Sequence, residues 1–495
     1  MTTSRSTAPS PRISTFLAIL LALLVIFPLL GHKPLTEWDE GIYAEISREM
    51  LSSGWLVPHL NHIAWLEKPP LMLWITAAFF KLFGVGELTA RIGSALSGVA
   101  VVGLLHHWFA ARRGLLAAWL GSFILLATLG FLHVCRVGEM DVLLSLGCMV
   151  SLIGLVQVDE HRSRGWLLFW AGFAVALMTK GAASGVLLLT AIVSALVQRW
   201  RLNRFGGTFW LGLCLFLLLT LPWHLVMLHL YGQRFVAAYL GLHVLARATG
   251  QIEGHSTHWW YYLKVLAVSA PPFVLLYPFA IANSLRRNRL RIFALFSLVV
   301  VLAFTLVQTR LPHYIAPAYP ALAVVTASYL SDRLQPFLLE RRPALFWTRL
   351  ATAALVISIA SILATGHARG SLHSTTLANG TVLPDNKEAI TLLRAFPATQ
   401  PFDGPLLVWH QGPIFVATDC FYSRRPVLRV LASPSTVAEA QLYVPPAEPL
   451  SVAVASGPRL ILLDRDLVSQ IPKGFAFTRI RSEDVLELGS IVRLR

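Results

Sequence analysis

The stretch from Glu37 to Pro70, EWDEGIYAEISREMLSSGWLVPHLNHIAWLEKPP, follows the first long apolar run of a 495-residue chain. Only 13% of the chain is charged, yet this stretch concentrates acids and bases in one loop. From Asp39 onward apolar residues recur at near-helical spacing, and Gly54 ends that pattern. We predict a short amphipathic helix on a membrane surface, followed by an extended turn at the two prolines. A solvated loop whose acids cap a helix is the alternative interpretation.

The composition indicates an integral membrane protein, because 56% of the residues are hydrophobic and the mean hydropathy is +0.64. The formal net charge of +16 does not indicate a nucleic-acid partner, since the arginines form short clusters between apolar runs. The four cysteines form no disulfide or metal-binding pattern. The first apolar run lacks a small-residue cleavage site, so we predict a retained first span.

The spacing of apolar runs predicts a mainly α polytopic membrane protein with about 11–13 transmembrane helices. The stretch 71–83 is too short for an ordinary span and predicts a re-entrant or interfacial helix. The predicted spans lie near residues 14–31, 93–110, 115–133, 141–157, 165–179, 183–198, 208–229, 263–282, 292–308, 312–330 and 344–365.

The connections between these runs alternate between two kinds. One kind is rich in arginine, as at Arg112-Arg113, and is predicted to be cytoplasmic together with the N-terminus. The other kind has few arginines but many chemically versatile residues, and it is predicted to face outward. This outer set includes the loop 31–92 of a predicted transmembrane domain that spans residues 1–366.

The composition changes from about residue 367, where apolar runs shorten to strand length. We predict an extracytoplasmic α/β domain over residues 367–495, with a helix at 386–395. An odd number of spans places this domain outside the cytoplasm. The predicted strands are 405–409, 427–431, 442–444, 460–463 and 490–494.

Ionisable residues lie at the outer ends of predicted spans, where such groups normally face a water-filled cavity or a partner. Convergence in a single site would satisfy all of them, and the mixture of cations and carboxylates suits a phosphate-bearing ligand. The predicted site residues are Asp39, Glu67, Lys68, Asp141, Lys180, His255, Arg310 and Tyr314.

Several motifs over residues 15–330 resemble the GT-C membrane glycosyltransferases. Among these, the resemblance is strongest to the bacterial transferases of 4-amino-4-deoxy-L-arabinose to lipid A, relatives of the protein O-mannosyltransferases. The motifs are Trp38-Asp39-Glu40, Pro58-His59-Leu60-Asn61, Glu67-Lys68-Pro69-Pro70-Leu71, Arg91 and Leu311-Pro312-His313-Tyr314-Ile315-Ala316-Pro317 with Tyr319-Pro320-Ala321-Leu322.

The resemblance implies that Asp39 is the essential acid, acting as a base or orienting the acceptor, although a helix N-cap is an ordinary use of Asp. Asp141 resembles a second family acid. Glu67 and His255 resemble metal ligands, which with carrier phosphate and water would complete a site for a divalent metal, zinc being the candidate. His258 stands where relatives often have proline, as a third ligand or an interfacial histidine.

Lys68, Arg310, Tyr314 and Lys180 are predicted to bind the phosphate of the carrier, where charge develops as the leaving group departs. For Arg310 the alternative is an interfacial anchor, and Tyr314 equally fits an aromatic belt.

The predicted activity is inverting transfer of a sugar from a polyprenyl phosphate, such as undecaprenyl phosphate, at the outer face of the cytoplasmic (inner) membrane. The expected acceptor is lipid A, another glycolipid, a cell-wall polymer or a protein hydroxyl. The alternatives are a protein O-mannosyltransferase-like enzyme and a transporter or flippase of lipid-linked sugars, which would need ionisable residues near the middle of the bilayer.

Overall fold

A computed structural model describes residues 10–36, 38–246, 258–286, 290–340, 387–394, 404–409, 416–431, 447–454, 458–482 and 486–493. The first four ranges form a helical bundle with one large apolar core, and the others form a smaller α/β unit. The helices of the bundle are α1 (Pro11–Ile26), α2 (Asp39–Ser53), α3 (Leu71–Phe83), α4 (Glu87–Ala127), α5 (Leu129–Arg136), α6 (Asp141–Asp159), α7 (Gly165–Lys180), α8 (Gly185–Val197), α9 (Gly207–Val236), α10 (Tyr261–Ser269), α11 (Tyr277–Arg286), α12 (Arg291–Leu306) and α13 (Ala318–Glu340).

Helix α4 consists of two antiparallel halves that meet at Gly114. The φ angle of Gly114 is +84°, in the left-handed region that glycine adopts at little cost. His106 in the first half hydrogen-bonds to Ser122 in the second half, with Nδ1 and Oγ 3.0 Å apart. The prediction of two spans separated by an arginine turn is therefore correct.

The basic connections lie together at one end of the bundle. Arg112 pairs with Glu160, which follows α6, and Arg113 pairs with Asp332 in α13. The 199–204 loop hydrogen-bonds to the same end of α6. These contacts bring the arginine-rich loops to one face, as the alternation of loop types predicts.

Four stretches of the described chain are long and apolar enough to cross a membrane by length and composition: Glu87–Ala127, Asp141–Asp159, Gly165–Val197 and Gly207–Gly241. Shorter apolar helices accompany them, α1 and α3 among them. Leucines on the outside of the bundle remain exposed, including Leu218 at 68% and Leu196 at 72%. Such an apolar exterior belongs against lipid, and the chain is a multi-pass membrane protein.

The predicted continuous span at 263–282 is wrong in one respect. The chain there forms α10 and α11, two short helices with a break at Pro271-Pro272. A proline inside a helix removes a backbone donor and clashes with the preceding turn, so two in succession stop the helix. The other predicted spans up to residue 330 are mainly helical, but 115–133 is broken at Thr128 between α4 and α5, and 312–330 begins with a 3-10 turn at Pro312–Ile315 before α13. The predicted span 344–365 lies outside the described residues.

The buried pair of Glu40 and Arg91 fastens α2 to α4. Glu40 Oε1 accepts from Arg91 Nε at 2.7 Å and from the Gly138 amide at 2.8 Å, and Oε2 accepts from the Thr36 amide at 2.7 Å. Arg91 also donates to the carbonyl oxygens of three residues in the loop after α1. Both side chains are fully buried. This network is anchored on residues from four separate segments.

The C-terminal region contains a six-stranded sheet in the order β5-β4-β3-β6-β8-β7. Strands β3, β4, β5 and β6 run parallel, and β7 and β8 pair antiparallel at one edge. The two-stranded hairpin β1 (His59–Leu60) and β2 (Ile63–Ala64) belongs to the loop after α2. The sheet strands are β3 (Leu406–Trp409), β4 (Val427–Leu431), β5 (Glu448–Pro449), β6 (Arg459–Asp464), β7 (Phe475–Ser482) and β8 (Leu486–Arg493), with helices α14 (Lys387–Arg394), α15 (Val416–Ser423) and α16 (Leu450–Ala453).

The predicted α/β character of this region is correct, but the predicted strands include neither the two-residue β5 nor β7. Strand β7 lies at the edge of the sheet, and most of its side chains are at least partly exposed, so it contains no apolar run. The predicted strand 442–444 and the predicted domain boundary at 366/367 lie outside the described residues.

The C-terminal region packs directly on the loop that contains α2. Val427 is the first residue of β4. The Asn61 side chain donates to the Val427 carbonyl at 3.0 Å and accepts from the Val427 amide at 2.8 Å. Helix α15 crosses α2 so closely at Gly41 that a Cβ there would lie 2.9 Å from Thr418 Cγ2. The sheet therefore sits on the same side of the bundle as Asp39.

Candidate active site

Asp39 occupies the first residue of α2, where the positive end of the helix dipole favours a carboxylate. The preceding residue, Trp38, has a φ angle of +66°, which is an uncommon conformation for a bulky side chain. Strain of this kind concentrates at functional sites, where the surrounding structure holds it in place. The Asp39 side chain remains 27% exposed, so a ligand has access to it.

Three side chains from different segments surround the Asp39 carboxylate. Tyr43, one turn further along α2, donates its hydroxyl to Oδ1 at 2.8 Å. Lys68 Nζ lies 3.4 Å from the same oxygen and also hydrogen-bonds to the Tyr43 hydroxyl. His313 Nε2 lies 3.9 Å from Oδ2 and has no hydrogen-bond partner among the described residues.

These neighbours set the protonation of Asp39 and His313. Burial acts to raise the pKa of Asp39, but Lys68, His313 and Lys180 together hold the pKa of this carboxyl well below its ordinary value. Burial lowers the pKa of His313 to about 4, so its imidazole is neutral at physiological pH. Asp39 is therefore an anion with weak basicity, beside a neutral imidazole.

Asp141 and Lys180 form a second charged pair at the same end of the bundle. Asp141 begins α6 and Lys180 ends α7, and Lys180 Nζ donates to Oδ1 at 2.6 Å and to Oδ2 at 2.8 Å. The ammonium also lies 5.4 Å from the centre of the Tyr314 ring. The electrostatic interaction of Lys180 with Asp39 joins the two pairs into one cluster.

Arg310 lies in the loop between α12 and α13 and is 7% exposed. Its Nε and Nη2 atoms donate to the Thr305 carbonyl at 3.2 and 2.6 Å. Its Nη1 atom is buried and has no hydrogen-bond partner among the described residues. The guanidinium therefore retains a donor for a ligand, which an anchor exposed to the lipid headgroups would not need.

The structure places six of the eight predicted residues at the same end of the bundle. They are Asp39, Lys68, Asp141, Lys180, Arg310 and Tyr314. Glu67 precedes Lys68 and is half-buried. His255 lies outside the described residues, and so does the predicted contact between it and Glu67. No group of three or more His, Cys, Asp or Glu side chains among the described residues could hold a metal ion. A metal site would therefore depend on His255 together with bound phosphate and water.

Sequence reasoning missed Tyr43, His313 and Glu139 as members of this cluster. Tyr43 carried a usable signal, because residues four apart on a helix lie on the same face and Asp39 had already been selected. His313 lies within a quoted motif, but a histidine beside a proline has many ordinary uses. Glu139 carried no signal other than its position two residues before Asp141.

The arrangement combines anions, cations and hydrogen-bond donors around a partly open space. Lys68 and Arg310 offer positive charge and a free donor suited to a phosphate. Asp39 and Asp141 offer carboxylates that orient hydroxyl or amine groups. A ligand that joins a phosphate to a polyhydroxylated group matches this combination.

Comparisons with known proteins agree with this chemistry. Residues 67–225 match the family model described as dolichyl-phosphate-mannose-protein mannosyltransferase. An undecaprenyl phosphate-alpha-4-amino-4-deoxy-L-arabinose arabinosyl transferase from Pseudomonas fluorescens is 33% identical over 337 residues, which cover 64% of this chain and 59% of that protein. An uncharacterized protein from Aquifex aeolicus is 28% identical over 70% of this chain and 69% of its own length. The chain spans less than two thirds of the arabinosyl transferases that it matches.

A crystal structure of ArnT from Cupriavidus metallidurans bound to undecaprenyl phosphate has the same fold. The TM-score is 0.74 at 21% sequence identity, and the match covers 96% of this chain and 97% of that one. The shared fold includes the helical bundle and the C-terminal region. By its motifs, by the family-model match over residues 67–225 and by this shared fold, the chain is similar to the GT-C membrane glycosyltransferases of the ArnT and protein mannosyltransferase types.

Proposed function

We propose that this protein is an inverting glycosyltransferase that moves a sugar from a polyprenyl phosphate, such as undecaprenyl phosphate, to a glycolipid such as lipid A. The observation that carries the proposal is the Asp39 cluster, in which a carboxylate on α2 lies among Lys68, Tyr43 and His313. The named arabinosyl transferase relatives and the ArnT fold support the same class of donor.

The cations of the site suit the departing phosphate. When the bond between the sugar and the carrier breaks, negative charge grows on the phosphate oxygen of the leaving group. Lys68 and Arg310 supply preorganised donors for that charge, and Lys180 with Tyr314 extends the polar surface beside them. Because these groups are buried or half-buried, they are already oriented before the reaction begins.

The low pKa of Asp39 favours a phosphate acceptor over a hydroxyl acceptor. A hydroxyl must lose its proton to a base during transfer, and bases work best when their pKa is near the operating pH. Asp39 lies far below that range because of its cationic neighbours. A phosphate group of a glycolipid is already an anion, so Asp39 needs only to orient the reacting groups.

A protein O-mannosyltransferase-like activity is the second candidate, and the family model over residues 67–225 favours it. A transporter or flippase is a weaker alternative. It would need its polar site near the middle of the bilayer, and the described charge cluster lies at one end of the bundle.

We also propose an orientation in the cytoplasmic (inner) membrane. The end of the bundle with Arg112, Arg113 and the 199–204 loop faces the cytoplasm together with the N-terminus, by the positive-inside rule. The Asp39 end and the C-terminal region then lie outside the cytoplasm. Cysteine labelling with a membrane-impermeant reagent at exposed Ser52, compared with a cysteine at Arg162, tests this orientation.

The decisive experiment is reconstitution. Purified protein in liposomes receives undecaprenyl-phosphate-linked 4-amino-4-deoxy-L-arabinose and lipid A, and mass spectrometry follows both lipids. We expect a mass increase on lipid A in the wild-type sample and none in the Asp39→Asn sample. Transfer to a protein or peptide hydroxyl, with unmodified lipid A, would favour the second candidate. Mass spectrometry of lipids and glycans from cells with and without the protein identifies a different sugar or acceptor.

A divalent metal, with zinc as the candidate, is a separate proposal in which Glu67 and His255 are ligands. When bound, such an ion would neutralise part of the charge of the carrier phosphate. Chelation and His255→Ala should both weaken binding of undecaprenyl phosphate, and elemental analysis of the purified protein should find the metal in the wild type only. Equal affinity before and after chelation argues against the metal.

A further inference from the structure

Glu139 is a buried carboxyl group that the mechanism above does not use. It lies in the 137–140 loop between α5 and α6, and only 8% of the residue is exposed. Its Oε2 atom is buried without a hydrogen-bond partner among the described residues. A buried polar group without a hydrogen-bond partner destabilises the folded protein, so such a group calls for an explanation.

The backbone around Glu139 is firmly held, so the unpaired side chain does not result from a loose loop. Ser94 Oγ donates to the Glu139 carbonyl at 2.8 Å, and the Gly138 amide donates to Glu40 at 2.8 Å. A Cβ at position 138 would lie 3.0 Å from the Ala90 carbonyl oxygen, which leaves the loop little room to shift. The network of Glu40 thus fixes the chain from which the Glu139 side chain extends.

The Glu139 carboxyl lies within the Asp39 cluster. Asp141, Asp39 and Lys180 all act on it electrostatically. Burial, together with the charges of Asp141 and Asp39, raises the pKa of Glu139 well above its ordinary value. This environment favours the protonated carboxyl, which can donate one hydrogen bond and accept others.

The surrounding charges restrict what this acid can bind. The carboxylates of Asp39 and Asp141 disfavour a second anion beside Glu139, whereas a hydroxyl or amino substituent is compatible with them. The donors suited to phosphate are Lys68 and Arg310, on other segments of the chain. The polar end of Glu139 is thus suited to the uncharged or cationic part of a ligand whose phosphate lies elsewhere in the site.

We propose that Glu139 is a sugar-binding residue, whose carboxyl group hydrogen-bonds to a hydroxyl or amino substituent of the sugar carried by the polyprenyl phosphate. This proposal rests on the proposed function, because it assigns Glu139 to the donor of that reaction. The bond would satisfy the Oε2 atom that the protein itself leaves unpaired. It would also distinguish carrier lipids by the sugar attached to them, whereas the cations bind the phosphate that all these lipids share.

The experiment compares two lipids, undecaprenyl phosphate and undecaprenyl phosphate linked to 4-amino-4-deoxy-L-arabinose, binding to the wild type, Glu139→Ala and Glu139→Gln. We expect the alanine variant to bind the sugar-linked lipid about tenfold more weakly, which corresponds to one lost hydrogen bond of ~1.4 kcal/mol. Its affinity for the sugar-free lipid should be unchanged. The glutamine variant, whose amide both donates and accepts, should keep most of the affinity. Glu160→Ala, at the opposite end of the bundle, is the matched control.

Equal affinities of the alanine variant and the wild type for the sugar-linked lipid would overturn the proposal. A parallel loss for both lipids would overturn it as well, because the residue would then act on the phosphate or on the fold. Melting temperatures show whether Glu139→Ala has a folding defect. If it does, Glu139→Asp, whose carboxyl is one methylene shorter, is tested for binding of the same two lipids, with the same result expected. Binding is measured without turnover, so a wild-type protein that transfers no sugar counts against the proposed function and leaves the Glu139 result readable.

Discussion

Asp39 and Glu40 are consecutive acids at the start of α2, and they have opposite environments. Glu40 is fully buried, and Arg91, Gly138 and Thr36 satisfy its carboxylate. Asp39 is partly exposed and lies among groups that are only partly satisfied, including His313 Nε2. One acid thus holds α2 in place, and its neighbour remains partly exposed with its charge available for a ligand.

The difference shows how a fold supports a charged site at a membrane surface. A buried ion pair with complete hydrogen bonding is costly to break, because removal of one partner leaves the other charge uncompensated. The position of Asp39 depends on this pair, because Glu40, the next residue, fixes the start of α2 through Arg91. Four predictions separate the two roles.

The largest effect is expected from Asp39→Asn, which keeps the shape and removes the charge. Turnover should fall by about 10²-fold or more, the loss expected when the groups that react are no longer held in position. The melting temperature should stay close to that of the wild type, because Asp39 is partly exposed. Sugar transfer in liposomes measures the effect, with Asp332→Asn at the other end of the bundle as a control. Near-normal turnover would remove Asp39 from the mechanism.

Glu40→Gln should instead act on the fold. It leaves the Arg91 guanidinium buried without a counter-charge, so the free energy of unfolding should fall by about 3–5 kcal/mol. Denaturant unfolding in detergent measures this, and activity per folded molecule should change much less than for Asp39→Asn. The control is Glu160→Gln, which removes a half-exposed ion pair and should cost about 0–1 kcal/mol. Equal losses in the two variants would contradict a special role for Glu40.

Tyr43→Phe is expected to have a smaller effect on turnover. It removes the hydroxyl that donates to Asp39 at 2.8 Å, so turnover should fall about tenfold, as for one hydrogen bond to a charged group. Tyr422→Phe is the matched control, because its hydroxyl accepts from the Leu35 amide at the same distance of 2.8 Å but outside the site. If both variants lose turnover equally, the Tyr43 hydroxyl acts through stability alone.

The smallest effect concerns acid stability. The pKa of Glu40 is lowered from 4.5 to about 2, with burial opposed by Arg91 and the amides of Thr36 and Gly138. Glu40 binds its proton at a higher pH in the unfolded chain than in the folded protein. The stabilisation by its carboxylate is therefore fully present above about pH 4.5 and is lost as the pH falls toward 2. Melting temperatures from pH 6 to pH 3 should fall less steeply in Glu40→Gln. Parallel slopes would contradict this assignment.

Some features of the site and fold could be predicted from the sequence and others could not, depending on whether the local sequence around them is unusual. Lys180 and Asp141 were found because an ionisable group at the end of an apolar helix is unusual. The break in the predicted 263–282 span went unnoticed because periodicity outweighed the two prolines. Strand β7 went unnoticed because an exposed edge strand has no apolar run. His255 and the metal that depends on it remain predictions.

The sequence by itself determined that the chain spans a membrane several times and that its arginine-rich loops alternate with acid-bearing ones, because both properties follow from local composition. Its short motifs also indicated a resemblance to the GT-C glycosyltransferases, which the shared fold supports. Only the tertiary structure decided that Glu40 serves the fold while Asp39 stays partly exposed among charged side chains, and that Glu139 joins the same cluster. These distinctions depend on which distant groups surround a carboxylate, and neighbours such as Arg91 and His313 come from segments far apart in the chain.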